Sequence, residues 1–202
     1  ALLFAAAVDG DDPRGVKLLL KSRAKVNATG PSGRTALMVA ALADNAEIAE
    51  ALLAAGAELE ARDESGHSAL LEAARAGANR VLRRLVFHRP DAQLTDIHGR
   101  NALHLGAQAP GADVETLTLL QALGCPADAL DQSGASAADL AATVGRWPLV
   151  RVLNPDYVIP STHLEEPSAD EDTPHIEPDA PGLLLVRAAL QGRFPLYQEL
   201  VQ

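Results

Sequence analysis

The side chains best suited to chemistry gather towards one end of the chain. His163, Glu165, Glu166, Asp170, Glu171, Asp172, His175 and Glu177 are oxygen and imidazole donors of the kind that ligate a divalent cation. Six prolines, Pro155, Pro160, Pro167, Pro174, Pro178 and Pro181, are spread through the same stretch. A backbone so interrupted cannot hold ligands ready in a helix, so the segment reads as solvated charge, and neither a metal nor a cofactor is expected. A second group, Arg75, Arg80, Arg83, Arg84 and Arg89, is basic. Arg80, Arg83 and Arg84 fall at helical spacing and read as a solvated outer face, the alternative being a docking face for anions. Gly-rich phosphate loops, paired-cysteine motifs and nucleophile elbows do not occur in the 202 residues, and the chain is expected not to be an enzyme.

The elements that must position these side chains follow from composition. Hydrophobic residues make up 48% of the chain and aromatics only 3%, so the core has to be built from Ala and Leu, whose small faces let helices approach closely. The net charge of −10 is uneven: residues 1–151 carry 18 acidic and 15 basic side chains, residues 152–186 carry 8 acidic and none basic, and residues 187–202 carry one acidic and two basic. A basic nucleic-acid footprint is absent, and no apolar run reaches the length of a membrane span, so neither nucleic acid nor membrane is an expected partner. The single cysteine, Cys125, excludes an intrachain disulfide and favours a cytoplasmic location. The excess of 14 Arg over 3 Lys in an Ala-rich chain points to a GC-biased, bacterial coding sequence. The chain opens on Ala1-Leu2-Leu3-Phe4 and closes on Leu200-Val201-Gln202, both inside apparent helices, so it is expected to be a fragment of a longer protein.

One phrase recurs: GRTALMVAA from Gly33, GHSALLEAA from Gly66, GRNALHLGA from Gly99 and GASAADLAA from Gly134, at steps of 33, 33 and 35 residues. Each copy reads as a Gly turn, a capping residue, a short Ala/Leu helix and a second amphipathic helix. Such a period predicts a solenoid in which each unit buries its face on its neighbours. Thr35, Ser68, Asn101 and Ser136 stand where a side-chain oxygen would cap the first helix. The second helix at Glu47 to Ala54 is expected to bury Ile48, Ala51 and Leu52, and Gly56 to supply a left-handed stop. Met38, Leu71 and Leu105 read as core.

The phrases TALMVAA, SALLEAA and NALHLGA resemble the ankyrin pattern T-P-L-H-x-A-A, and Leu52-Leu53-Ala54-Ala55-Gly56-Ala57 resembles the close of an ankyrin repeat. The resemblance implies an all-α repeat solenoid of helix-turn-helix units with β-hairpin-like fingers: five repeats over 1–153, an acidic Pro-rich insertion or linker over 154–181, and the helix pair of a further repeat, whole or truncated, over 182–202. Ala36, Ala69, Ala102 and Ala137 replace the family's proline, and only His104 keeps its histidine, so the turn bracing that histidine supplies is expected to be missing elsewhere. The extra residues around Ala109-Pro110-Gly111 and Leu123-Gly124-Cys125 are expected to alter loops and not the fold.

The resemblance further implies a scaffold that binds a partner protein or peptide through a concave face made by the fingers and the ends of the first helices. The alternative is the targeting or regulatory region of a larger enzyme or secreted effector. Carried over residue by residue, that face includes Arg34, Leu42, Glu64, His67, Arg75, Ile97, His98, Arg100, Gln108 and Gln132. Arg34, His67 and Arg100 share one repeat position and should form a surface stripe whose removal leaves the fold intact. The acidic arm, residues 162–179, is expected to fold back towards this face.

Overall fold

The computed structural model describes Ala7 and residues 13–158. The chain divides after Val158 into two units, and the description concerns the first. The acidic arm with its expected contact, the expected helix pair over 182–202 and the opening Ala1-Leu2-Leu3-Phe4 lie outside the described residues.

Nine α-helices are described: α1 Pro13–Lys21, α2 Ala36–Leu42, α3 Ala46–Ala54, α4 Ala69–Ala76, α5 Asn79–Phe87, α6 Ala102–Gln108, α7 Val114–Leu123, α8 Ala137–Thr143 and α9 Trp147–Leu153. They pair as α2/α3, α4/α5, α6/α7 and α8/α9, and the pairs stack in two layers. First helices touch in the series α2, α4, α6, α8, and second helices in the series α1, α3, α5, α7, α9. None of the described helices is long and apolar enough to cross a membrane.

Helices of seven to ten residues are too short to be stable alone and depend on caps and neighbours. All four expected caps are made: Thr35 Oγ1 accepts from the Met38 N–H at 3.3 Å, Ser68 Oγ from Leu71 at 3.4 Å, Asn101 Oδ1 from His104 at 3.1 Å, and Ser136 Oγ from Asp139 at 3.2 Å. Each is worth ~1 kcal/mol over Ala. The reciprocal bond, in which the third helical residue accepts from the capping residue's own N–H, is not confined to His104. Asp139 Oδ2 accepts from the Ser136 N–H at 2.9 Å, and the Met38 thioether receives the Thr35 N–H at 3.4 Å. A carboxylate or a sulfur at that place replaces the imidazole nitrogen because the geometry asks only for an acceptor.

The core runs the length of the stack. Met38, Leu71 and Leu105 are buried as expected, and so are Leu37, Leu70 and Leu103. On α3 the buried stripe is Ala46, Ile48, Ala49 and Leu52, whereas Ala51 is only half-buried. The helix touches α1, α2 and α5, and Ile48, Ala49 and Leu52, related by steps of three and four, lie on the row that faces them, leaving 51 at its edge. Gly56 takes φ +87° and stops the helix as expected.

Each finger is a hydrogen-bonded turn instead of a strand pair. Gly30 N–H donates to Arg34 O, Asp63 to His67, Asp96 to Arg100 and Asp131 to Ala135, at 2.7 to 3.0 Å. Isolated bridges join Thr29 to Thr35 and Leu130 to Ser136, and the described residues contain no longer β ladder. The turn glycines Gly33, Gly66, Gly99 and Gly134 sit at φ +74° to +80°, where a Cβ is strained.

The fourth-repeat insertion is packed, not loose. Ala109 and Ala112 are buried, and the Arg146 guanidinium reaches from the next repeat to donate to the carbonyls of Ala109 and Ala112. Gly77 closes the other side: at φ +67°, a Cβ there would stand 2.4 Å from Ala112 N. Gly77→Ala is therefore expected to destabilise the chain by at least ~1–3 kcal/mol. Leu103→Ala, which empties a site at the centre of the stack, is expected to cost ~2–5 kcal/mol. Urea melts followed by circular dichroism measure both, and a Leu103→Ala curve superimposed on wild type would refute the packing described.

Candidate functional site: a buried carboxylate network beneath the fingers

The fingers hold to one another by backbone bonds. Glu64 N–H donates to Ser32 O, Ile97 N–H to Ser65 O and Gln132 N–H to His98 O, at 3.0 to 3.1 Å. The first of the described fingers opens on Gly30, and in the other three a leading aspartate closes the turn. Asp63 Oδ1 accepts from the Ser65 and His67 N–H groups, Asp96 Oδ1 from His98 and Arg100, and Asp131 Oδ1 from Ser133 and Ala135, all at 2.8 to 3.0 Å. Asp63 and Asp96 are buried, and their second oxygens face cations of other residues.

Glu72, on α4, joins them. It is 1% exposed, and the other buried residues of α4 are all Ala or Leu. Arg75 grips Glu72 Oε2 through Nη2 at 2.6 Å and Nε at 3.2 Å. Arg34, from the preceding finger, reaches Glu72 Oε1 at 3.2 Å and Asp63 Oδ2 at 3.5 Å. Arg100 holds Asp96 Oδ2 through Nε at 2.8 Å and Nη2 at 2.7 Å. His67 sits among all three acids: Nδ1 is 3.2 Å from Glu72 Oε1 and 4.0 Å from Asp63 Oδ2, and Nε2 is 3.5 Å from Asp96 Oδ2. Burying a carboxylate without a partner costs several kcal/mol, so the three acids require these cations.

The electrostatics follow from the contacts. Its bond to Glu72 pushes the His67 imidazole above its ordinary value; burial opposes this, and the charges of Glu72, Asp63 and Asp96 add to the rise. Burial pushes Glu72 up, but bonds from His67 and Arg75 and the charges of Arg75 and Arg34 outweigh it and hold the carboxyl below its usual range. Asp96 is likewise held low against its burial, chiefly by backbone and side-chain bonds from Arg100. His104 behaves oppositely. Burial drives it below its ordinary value despite its bond to the Ala135 carbonyl.

Asp63, His67 and Glu72 bring one ligand atom each to within 4.8 Å of one another, a spacing a metal ion would accept. The Arg34 guanidinium already bonds the two carboxylates of that set, so the cationic position there is filled by the protein.

The structure thus draws four of the expected face residues, Arg34, His67, Arg75 and Arg100, into one network. The stripe is not free surface: His67 is buried, and Arg34 and Arg100 expose only 33% and 27% of their side chains. Removing all three would leave Asp63 and Asp96 without their cations and Glu72 with Arg75 alone, so the triple change is expected to cost stability. Glu64, Ile97, His98 and Gln132 stand exposed on the fingers, and Leu42 and Gln108 stand exposed at the C-terminal ends of α2 and α6. His98, Arg100, Asp131, Gln132 and Ser133 line a cleft of about 450 Å³. Arg75 is separated from the basic group it was read with. Arg83 and Arg84 instead pair on the second-helix layer with Glu115 at 2.5 Å and Glu50 at 3.2 Å, exposed contacts worth ~0–1 kcal/mol.

The aspartates and Glu72 escaped the sequence reading, yet both left a signal. Asp63, Asp96 and Asp131 each precede a turn glycine by three residues, and Glu72 occupies the place held by Val39, Leu105 and Leu140 in the other repeats.

Two histidines with opposite shifts give opposite pH slopes. The stability His67 adds is complete below 6.5, its unfolded value, and is lost as pH rises through its higher folded value. For His104 the folded value is depressed, so its contribution is complete above 6.5 and falls away in acid. His67→Gln is therefore expected to destabilise more at about pH 6 than at about pH 8, and His104→Gln more at about pH 8 than at about pH 6. Urea midpoints at the two pH values test this, and equal losses at both would refute it.

The family model described as ankyrin repeats (3 copies) matches residues 2–96. No curated protein matches the chain. Past residue 96 the same capped helix pair and aspartate-closed finger recur through Leu153, in register with the matched part. The chain is an ankyrin-repeat protein.

Proposed function

We propose that the finger face of this array binds a partner protein or an extended peptide and carries out no catalysis of its own. Ankyrin repeats in general mediate protein–protein interaction. The observation that carries the reading here is Ile97. It is 56% exposed at a finger tip whose backbone is fully engaged, its N–H by Ser65 O and its carbonyl by the Gln132 side-chain amide at 2.9 Å. An apolar side chain held out on a backbone that cannot relax is prepared to bury itself on a partner at little entropic cost. Leu42 and Val144, exposed at the ends of α2 and α8, extend the apolar part of the face, and Glu64, His98 and Gln132 supply hydrogen-bonding groups beside it. Cys125 is buried and its thiol is pushed up to about 12 by desolvation and by Asp91, so it takes no part in this reading.

Affinity for a partner captured on the 202-residue chain should fall at least about tenfold in Ile97→Asp and in Leu42→Asp, because each places a charge where an apolar contact forms. Replacing Arg80, Arg83 and Arg84 together by Ala on the second-helix layer should change it less than about threefold. Isothermal titration of the purified partner against the variants gives the ranking, and the reverse order would move the binding surface to the second helices.

A further inference from the structure

The carboxylates of the network are buried and its guanidiniums are not. Asp63, Glu72 and Asp96 side chains are 0–1% exposed, while Arg34, Arg75 and Arg100 expose 33%, 39% and 27%. An incoming group therefore meets guanidinium edges, with the negative charge beneath them. Arg34 spends its Nε and Nη2 on Asp63 and Glu72, and Arg75 spends its Nε and Nη2 on Glu72. Among the described residues, the Nη1 donors of both are left for an outside acceptor, and the two guanidiniums flank a single carboxylate, one at each oxygen.

The charge count decides when an anion would be attracted. Three guanidiniums face three carboxylates, so with His67 neutral the cluster sums to zero, and with His67 protonated it sums to +1. The geometry favours the proton. With Nδ1–H donating to Glu72, a neutral ring aims the Nε2 lone pair at Asp96 Oδ2 only 3.5 Å away, and Nε2 has no hydrogen-bond partner among the described groups. A proton on Nε2 turns that repulsion into an ion pair and joins the finger of His67 to the following one. The charged groups facing the ring are Asp63 of its own finger, Glu72 and Arg75 of α4, Asp96 and Arg100 of the following finger, and Arg34 of the preceding one. The Arg62 guanidinium is engaged by the Gly66 and Thr95 carbonyls.

We propose that the Arg34 and Arg75 guanidiniums flanking Glu72 form a docking point for a carboxylate of an acidic protein partner, and that a proton held on His67 switches this docking point on. The proposal rests on the finger face being the binding face and adds to it the chemistry of the partner and a pH dependence. An arriving carboxylate draws on the same guanidiniums that neutralise Glu72, and the imidazolium supplies the compensating charge. Binding and protonation therefore reinforce each other by the same factor.

The test uses the 202-residue chain at low salt and a fluorescein-labelled deca-glutamate peptide, with deca-glutamine as the uncharged control, followed by fluorescence anisotropy. Affinity for deca-glutamate is expected to rise about fivefold between about pH 8 and about pH 6. The gain should vanish in His67→Gln and persist in His98→Gln, whose imidazole is exposed on the same face. Arg75→Ala should weaken binding at the lower pH. A gain retained in His67→Gln, lost in His98→Gln or matched by deca-glutamine overturns the proposal. Nitrogen-15 NMR of the wild-type imidazole avoids dependence on variant folding: the His67 titration midpoint should move upwards on saturation with deca-glutamate, and an unmoved midpoint overturns the switch. The two readings fail separately. Loss of the protein partner in Ile97→Asp with a pH-insensitive peptide overturns the switch and leaves the binding face standing. A pH-switched peptide with Ile97→Asp binding its partner normally supports the switch and removes the face from partner binding.

Discussion

The aspartates that open the two central fingers, Asp63 and Asp96, divide their two oxygens between local and long-range work. In Asp63 and Asp96, Oδ1 accepts two backbone N–H groups and closes the turn, and Oδ2 faces cations, Arg34 and His67 for the first and Arg100 and His67 for the second. The closed turn sets the carbonyl that receives the next finger's N–H, so the same carboxylate fixes the shape of one finger and the register of the next. Asp131 closes its turn in the same way, but its remaining partner is the Ser133 hydroxyl of its own finger. The cross-repeat pairing is thus concentrated in the middle of the array.

That concentration has an energetic consequence. Glu72 places a third buried carboxylate on a helix whose other buried residues are Ala and Leu, where its burial is tolerated only because Arg34, Arg75 and His67 converge on it. The second-helix layer is built differently. Its ion pairs, Arg83 with Glu115 and Arg84 with Glu50, lie in solvent, where screening leaves them little strength. The two layers therefore respond differently to salt and pH: the finger side depends on the protonation of one imidazole, and the second-helix side on apolar burial.

The packed insertion shows how a departure from the repeat period can become structure. Two extra residues would ordinarily swell a loop, yet Arg146 of the next repeat gathers its carbonyls and Gly77 of the previous repeat admits its backbone. Three successive repeats thereby share one contact, and the array stays continuous across the irregular step.

The sequence by itself determined the unit and its local chemistry. The period is read directly from the recurring phrase, and the caps at Thr35, Ser68, Asn101 and Ser136, the left-handed turn glycines and the apolar row of each helix rest on spacings of about four residues, so residue type and spacing suffice to read them. Only the tertiary structure decided which charges are surface. Arg34 meets Asp63 and Glu72 across 29 and 38 residues, and His67 meets Asp96 across the next finger. Spacing alone cannot bring these side chains together or show that one of them is buried. A row of polar residues at one repeat position looks like solvent-facing specificity, and becomes a neutralised interior network once stacking excludes water from the carboxylates beneath it.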